Sequence, residues 1–155
     1  MKNIRPAKIK FTKEGYEKIQ TDFQKYTLRR KEVIISLRTA REMGDLSENG
    51  AYKAAKFELG SVDRELRRLT FLLRFGEVTE VIKGSSINFG STVTLDNSGK
   101  QMTFTLVGSY ESNPQQQKLS VSSPIGRAII GKKIGDKITI TAPAGQTIYT
   151  VVNFE

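Results

Sequence analysis

The stretch REMGDLSENGAYKAAK, residues 41–56, decides the fold because it separates two long apolar patterns. Before it, apolar residues recur every three or four positions and only Arg30 breaks the row: Tyr16, Ile19, Phe23, Tyr26, Val33, Leu37 and Ala40. After it, an unbroken row follows: Tyr52, Ala55, Leu59, Val62, Leu66, Leu69 and Leu73. Such rows are typical of coiled-coil helices. The short connection containing Gly44 predicts that the two helices fold back as an antiparallel hairpin, with arms of roughly 45 Å at 1.5 Å per residue.

The second half of the chain has the period of β-strands. Short runs rich in Val, Ile and Thr are separated by the turns DNSGK (96–100) and PAGQ (143–146), and we expect strands at 91–95, 102–107, 118–122, 137–141 and 147–152. PIGRAIIG (124–131) predicts one short helix, with Ser123 as its N-cap. The sequence therefore predicts an α+β protein. We expect residues 1–80 to form the hairpin, with its tip at about residues 43–50. Residues 81–155 should form a small, mostly antiparallel sheet domain.

The composition favours a polyanionic partner and restricts the chemistry. The net charge is +9, and residues 1–83 carry 19 Lys and Arg against 12 Asp and Glu. The chain has no cysteine and no histidine, which excludes disulfides, thiolate metal sites and histidine-based triads. A metal ion would therefore need oxygen ligands, which favours Mg²⁺. We expect neither a membrane-spanning segment nor a secretory signal, and the lack of cysteine fits a reducing compartment.

Asp45 and Glu48 allow two interpretations. Asp-x-x-Glu before a helix is a capping-box pattern, in which both side chains bond to backbone N–H groups. Alternatively, two carboxylates at the end of a long hairpin can be carried into a channel of another molecule and share a hard cation there. Two carboxylates are too few to hold Mg²⁺ tightly, so a partner would have to complete the site. Arg41, Lys53 and Lys56 flank the pair and could bind a phosphate backbone.

The same residues resemble a known family. AREMGDLSENGAYKAAK (40–56) is similar to the signature of the bacterial Gre transcript-cleavage factors, and VSSPIGRAIIGKKIGD (121–136) is similar to the C-terminal motif of that family. The two motifs are far apart, and the order of the predicted strands between and after them also fits. The resemblance covers nearly the whole chain and is closer to the GreA type than to the GreB type.

The resemblance implies a function and a set of partners. Family members insert the end of the hairpin through the secondary channel of backtracked bacterial RNA polymerase. There the acids matching Asp45 and Glu48 help to bind the second catalytic Mg²⁺, which the free protein does not hold tightly. The polymerase then cuts the RNA 3′ end, so the factor itself is not an enzyme.

The resemblance also assigns roles to other residues. The basic residues matching Arg41, Lys53 and Lys56 would lie near the nascent RNA. The second domain would be FKBP-like and would contact the polymerase through Ser123, Pro124 and Ile125. We further expect a cytoplasmic monomer with no membrane partner. The high net charge suggests a wider basic face that includes Arg29, Arg38 and Arg64.

Three other functions compete with this interpretation. The first is a Gre-like protein that enters the channel and inhibits the polymerase, although the intact GDLSEN (44–49) argues against it. The second is a peptidyl-prolyl isomerase. Such a pocket needs several aromatic residues, and few follow Gly84: Phe89, Phe104, Tyr110, Tyr149 and Phe154. The third is a plain RNA- or DNA-binding protein, which would explain the charge but not the two acids.

Overall fold

The computed structural model describes residues 8–44, 49–81, 84–142 and 145–155. Two compact units are present. Tyr16–Gly76 belongs to the first, while Ile9–Gly15 and Glu77–Glu155 form the second. The predicted α+β class, a helical hairpin followed by a small sheet domain with one short helix, is confirmed. The FKBP-like fold of the sheet domain stays a prediction.

The first unit consists of two long helices, α1 (Lys13–Glu42) and α2 (Gly50–Phe75). Both predicted apolar rows lie inward: Ile19, Val33 and Ala40 of α1 and Ala55, Val62 and Leu69 of α2 are buried, and the other members are half-buried. Leu72 is also buried although it lies outside the row. The heptad pattern therefore forms a seam of the kind that pairs two helices.

Polar contacts across the seam show that the helices are antiparallel. The hydroxyl of Tyr16 donates to the carbonyl of Leu73 at 3.2 Å, near one end. The Arg30 guanidinium, at the break in the apolar row, binds the carboxylate of Asp63 at 2.7 Å. Near the other end, the Asn49 amide donates to the carbonyl of Ala40 at 2.7 Å. Later residues of α1 thus contact earlier residues of α2, as in an antiparallel pair of helices.

The second unit is built on a five-stranded sheet. Its strands are β3 (Thr92–Asn97), β4 (Lys100–Val107), β5 (Lys118–Ser120), β6 (Lys137–Ala142) and β7 (Gly145–Phe154), in the order β5-β4-β3-β7-β6. Only β4 and β5 are parallel, with Leu106 opposite Leu119. The core combines alternate strand residues with one residue of the short helix α3 (Pro124–Ile129): Ile87, Val93, Leu95, Phe104, Leu106, Ile129, Ile138 and Val151.

Three short elements were not expected from the sequence. Strands β1 (Ile9–Phe11) and β2 (Gly76–Val78) pair in a separate two-stranded sheet, and Pro114–Gln116 forms a single 3₁₀ turn. Next to β1, the carboxylate of Glu111 accepts from the backbone N–H of Thr12 at 3.0 Å and from the Thr12 hydroxyl. That hydroxyl in turn accepts from the N–H of Gly15 at 3.1 Å, so Thr12 caps the start of α1.

Two glycines in the hairpin should respond to alanine in opposite ways. Gly60 lies inside α2, and an added Cβ would meet only the Arg64 guanidinium at 3.7 Å. We expect Gly60→Ala to raise the free energy of unfolding by about 0.5–1 kcal/mol, because alanine loses less backbone entropy in a helix. Gly44 has φ +103°, which an L side chain rarely adopts. Gly44→Ala should therefore lower the free energy of unfolding by about 1–2 kcal/mol.

Thermal unfolding followed by circular dichroism at 222 nm measures both effects. Lower stability of Gly60→Ala than of the wild type, or a stabilising Gly44→Ala, would contradict these backbone conformations.

Candidate functional site at the end of the helical hairpin

The end of the hairpin is fixed by residues on both sides of 45–48. The last turn of α1 closes through a 3.3 Å bond from the N–H of Met43 to the carbonyl of Ala40, and Gly44 follows with its left-handed backbone. The predicted catalytic and metal-binding residues Asp45 and Glu48 lie outside the described residues. The chain is described again from Asn49, which directly precedes α2.

Asn49 joins the two helices at this end. Its side-chain oxygen accepts from the N–H of Tyr52 at 3.0 Å, and its side-chain amide donates to the carbonyl of Ala40 at 2.7 Å. Its backbone carbonyl accepts from the N–H of Lys53 at 3.1 Å. One residue therefore caps α2 and holds its first turn against the last turn of α1.

The capping interpretation of Asp45 is therefore wrong: α2 begins at Gly50, and its N-cap is Asn49. Asn49 was given no role from the sequence. Asparagine is among the preferred N-cap residues, and Asn49 lies three residues before Tyr52, where the second apolar row begins. That position was the sequence signal for an N-cap at Asn49. The N-cap bond to Tyr52 is thus made by Asn49 rather than by Asp45.

The predicted RNA-proximal residues surround this end of the hairpin. Arg41 is exposed in the last turn of α1, and Lys53 and Lys56 are exposed in the first two turns of α2. Within the part of the chain that the structure describes, none of the three forms an ion pair. Their charges are available to an anionic partner.

The wider basic face predicted from the net charge is only partly present. Arg29 binds Glu32 at 2.9 Å and Glu58 of the other helix at 2.8 Å, and these hydrogen bonds raise the pKa of its guanidinium. Arg38 binds Glu42 at 3.2 Å. The charges of both arginines are thus offset by carboxylates. Among the described residues no ion pair involves Arg64.

The predicted polymerase-contacting residues lie at the start of α3 in the second unit. The Ser123 hydroxyl accepts from the N–H of Gly126 at 3.0 Å and donates to the carbonyl of Ser120 at 2.7 Å. Ser123 is thus the helix N-cap that the sequence predicted. Pro124 is exposed and Ile125 is half-buried. The contact of these residues with a polymerase stays a prediction.

A cavity of about 580 Å³ beside Ile125 bears on the isomerase alternative. Its apolar lining comes from Met102, Phe104, Pro114, Leu119 and Ile125, so Phe104 is its one aromatic residue. The several aromatic side chains that the isomerase interpretation requires do not line this cavity.

Neither a metal site nor a membrane span is found within residues 8–44, 49–81, 84–142 and 145–155. No cluster of three or more potential metal ligands occurs there, and no helix there is long and apolar enough to cross a membrane.

Comparison with known proteins places the chain in a family. The family model "Transcription elongation factor, N-terminal" matches residues 9–78, and the model "Transcription elongation factor, GreA/GreB, C-term" matches residues 82–155. The chain belongs to the GreA/GreB family of transcription elongation factors, as its two motifs predicted.

Several relatives match over nearly their full length. Transcription elongation factor GreA of Neorickettsia sennetsu is 37% identical over 153 residues, which is 96% of this chain and 96% of the relative. GreA of Rickettsia conorii is 34% identical over 154 residues, or 96% of this chain and 95% of the relative. GreA of Nitratiruptor sp. is 39% identical over 145 residues, or 91% of this chain and 89% of the relative.

Among solved structures, the GreA factor homolog Gfh1 of Thermus thermophilus is 28% identical and matches 96% of this chain and 99% of its own, with a TM-score of 0.46. The family membership therefore rests on the two models and the sequence relatives.

Replacing Asn49 should loosen this end of the hairpin. Asn49→Ala removes the cap and the bond to Ala40, and we expect it to lower the free energy of unfolding by about 1–3 kcal/mol. Asn49→Ser keeps a capping oxygen but lacks the amide donor, so its loss should be smaller. Thermal unfolding measures the stability, and amide hydrogen exchange at Tyr52 and Lys53 measures local opening.

A matched control is Asn113→Ala, which removes a similar cap from the 3₁₀ turn at Pro114–Gln116. It should leave exchange at Tyr52 and Lys53 unchanged. Equal exchange in Asn49→Ala and the wild type would contradict the role given to Asn49.

Proposed function

We propose that this elongation factor acts on bacterial RNA polymerase that has backtracked. The end of its hairpin enters the secondary channel, and the polymerase active site is stimulated to cut the extruded RNA 3′ end. The bond-breaking site belongs to the polymerase, and the factor supplies side chains to it.

The observation that carries this proposal is the bonded pair of helix ends on either side of residues 45–48. Gly44 ends the α1 side and Asn49 starts the α2 side, and Asn49 is bonded to Ala40 at 2.7 Å. The two carboxylates thus belong to a short connection with fixed ends, at the tip of two paired helices of 30 and 26 residues. A two-helix element is narrow enough to enter a channel, since single helices with side chains are about 10–12 Å across.

The donor set of this connection suits a shared divalent ion. Asp45 and Glu48 supply hard carboxylate oxygens but too few of them for Mg²⁺, which prefers octahedral coordination. The polymerase would supply the remaining ligands. When bound, such an ion stabilises charge on the phosphoryl oxygens and lowers the pKa of bound water. Asp45 and Glu48 would hold that ion and orient the attacking water.

The exposed cations at this end of the hairpin fit a role beside the RNA. Arg41, Lys53 and Lys56 are exposed and lie on both helices near residues 45–48. Their charges would attract the phosphates of the RNA 3′ segment and offset part of the repulsion between that segment and the two carboxylates. In the second unit, Ser123, Pro124 and Ile125 would contact the polymerase at the channel entrance.

Transcript cleavage by a stalled, backtracked polymerase with labelled RNA tests the proposal. The double variant Asp45→Asn/Glu48→Gln keeps the size and shape of both side chains but removes both charges. We expect the wild type to speed cleavage at fixed Mg²⁺ and pH, and the variant to slow the stimulated rate at least about 100-fold, as for loss of a catalytic electrostatic group. Competition with labelled wild type should show that the variant still binds.

The matched control is Glu17→Gln/Glu32→Gln, which removes two exposed charges from α1 well away from the tip and should leave the stimulated rate within about twofold. A wild-type protein that binds, slows elongation and never stimulates cleavage would overturn the proposal and favour an inhibitor of the channel.

A further inference from the structure

Phe57 is an exposed aromatic residue that the packing of the hairpin does not explain. Its exposed fraction is 76%, the largest of any large apolar side chain among the described residues. It lies two residues after the buried Ala55 and five before the buried Val62, which places it opposite the seam. Because α2 is held by its other face, packing within the hairpin leaves the ring free for a ligand.

The neighbours of Phe57 leave its ring accessible. Lys53 lies four positions before it and Gly60 three positions after it, so both share its face of the helix. A Cβ at Gly60 would meet only the Nη1 of Arg64, at 3.7 Å. The backbone of Gly60 therefore borders the Phe57 ring, and Arg64 lies about one helical turn beyond Gly60.

Two cations lie on the same face of α2 as Phe57, namely Lys53 and Arg64. Within the described residues, Arg29, Arg30, Arg38 and Arg68 each bind a carboxylate. No ion pair in the same part of the chain involves Lys53 or Arg64. The face thus combines an accessible aromatic ring with two cations that no carboxylate offsets.

This combination fits single-stranded nucleic acid. Proteins that bind single strands stack bases on exposed aromatic rings and track the phosphates with Lys and Arg. A base within a duplex is already stacked on its neighbours and cannot use the ring in this way. The charge complementarity is strong, because the whole chain carries +9.

We propose that Phe57, Lys53 and Arg64 form a single-stranded RNA-binding surface on α2, in which one base stacks on the Phe57 ring. This deepens the proposed function and rests on it for the identity of the RNA, which is the extruded 3′ segment. Phe57 positions that segment, and Lys53 and Arg64 bind its phosphates.

The first test measures binding of the free, full-length protein to a single-stranded oligoribonucleotide that carries 2-aminopurine, whose fluorescence falls on stacking. Phe57→Leu keeps apolar volume but removes the ring, and we expect its Kd to rise roughly 5- to 100-fold with loss of the quenching. Phe57→Trp should restore both. Circular dichroism at 222 nm verifies that each variant is folded.

Phe71→Leu is the matched control. Phe71 lies fourteen positions after Phe57, on the same face of α2, and is 43% exposed. Its ring packs 4.8 Å from that of Phe75, so it already has an aromatic partner. We expect its Kd for the oligoribonucleotide to stay within about twofold of the wild type, since no base stacks there.

The charge contribution is read from the salt dependence of binding. Lys53→Gln and Arg64→Gln should each reduce the slope of log K against log salt by about 0.7, the value for one phosphate contact on a single strand. Lys25→Gln, on α1, should leave the slope unchanged. An unchanged slope in both Lys53→Gln and Arg64→Gln would overturn the phosphate contacts.

Two results would overturn the stacking role. One is an unchanged Kd and unchanged quenching in Phe57→Leu. The other is that Phe57→Leu weakens binding to polymerase core enzyme free of RNA while RNA binding stays intact, which would make Phe57 a protein contact. Neither result affects the cleavage test with Asp45 and Glu48, so this inference and the proposed function fail separately.

Discussion

The buried seam between α1 and α2 is the interaction on which the rest of the hairpin depends. Val33 and Leu69 are almost fully buried along it, and burying a side chain of that size contributes about 1.5–3 kcal/mol. Hydrophobic packing alone tolerates small shifts between helices. The register is therefore further specified by directional contacts, of which the Arg30–Asp63 ion pair at 2.7 Å lies at the one break in the seam. At the end of the hairpin, the bond from Asn49 to Ala40 completes this alignment.

Charge is distributed over the hairpin in two ways that correspond to two functions. Arg29 and Arg30 bind carboxylates of the opposite helix and so contribute to pairing, although exposed ion pairs of this kind add only about 0–1 kcal/mol each. Arg41, Lys53 and Lys56 are exposed, and no ion pair among the described residues involves them. Cations of this second kind thus lie around the end of the hairpin, where an RNA chain and two carboxylates would meet.

The sequence predicted the seam and the five main strands because both depend on local periodicity, which burial then follows. The sequence-based prediction was wrong or incomplete where contacts between distant residues determine the local structure. Asp45 and Glu48 match a capping box, but the first turn of α2 begins later because Asn49 is tied to Ala40 of the other helix. Strands β1 and β2 have three residues each and exist through their mutual pairing. The ion pair that offsets Arg29 involves Glu58, twenty-nine positions away, which no local pattern indicates.

A tethered-iron experiment tests most directly whether the end of the hairpin reaches the polymerase active site. The chain has no cysteine, so Met43→Cys, at an exposed position two residues before Asp45, can be labelled uniquely with an iron chelate. In a backtracked complex, the account predicts that hydroxyl radicals from this position cut the RNA at its 3′ segment. Iron at Lys100→Cys, in the sheet domain, should leave that segment intact. Bound Met43→Cys that cuts no RNA, or that cuts no more than Lys100→Cys, would contradict the account.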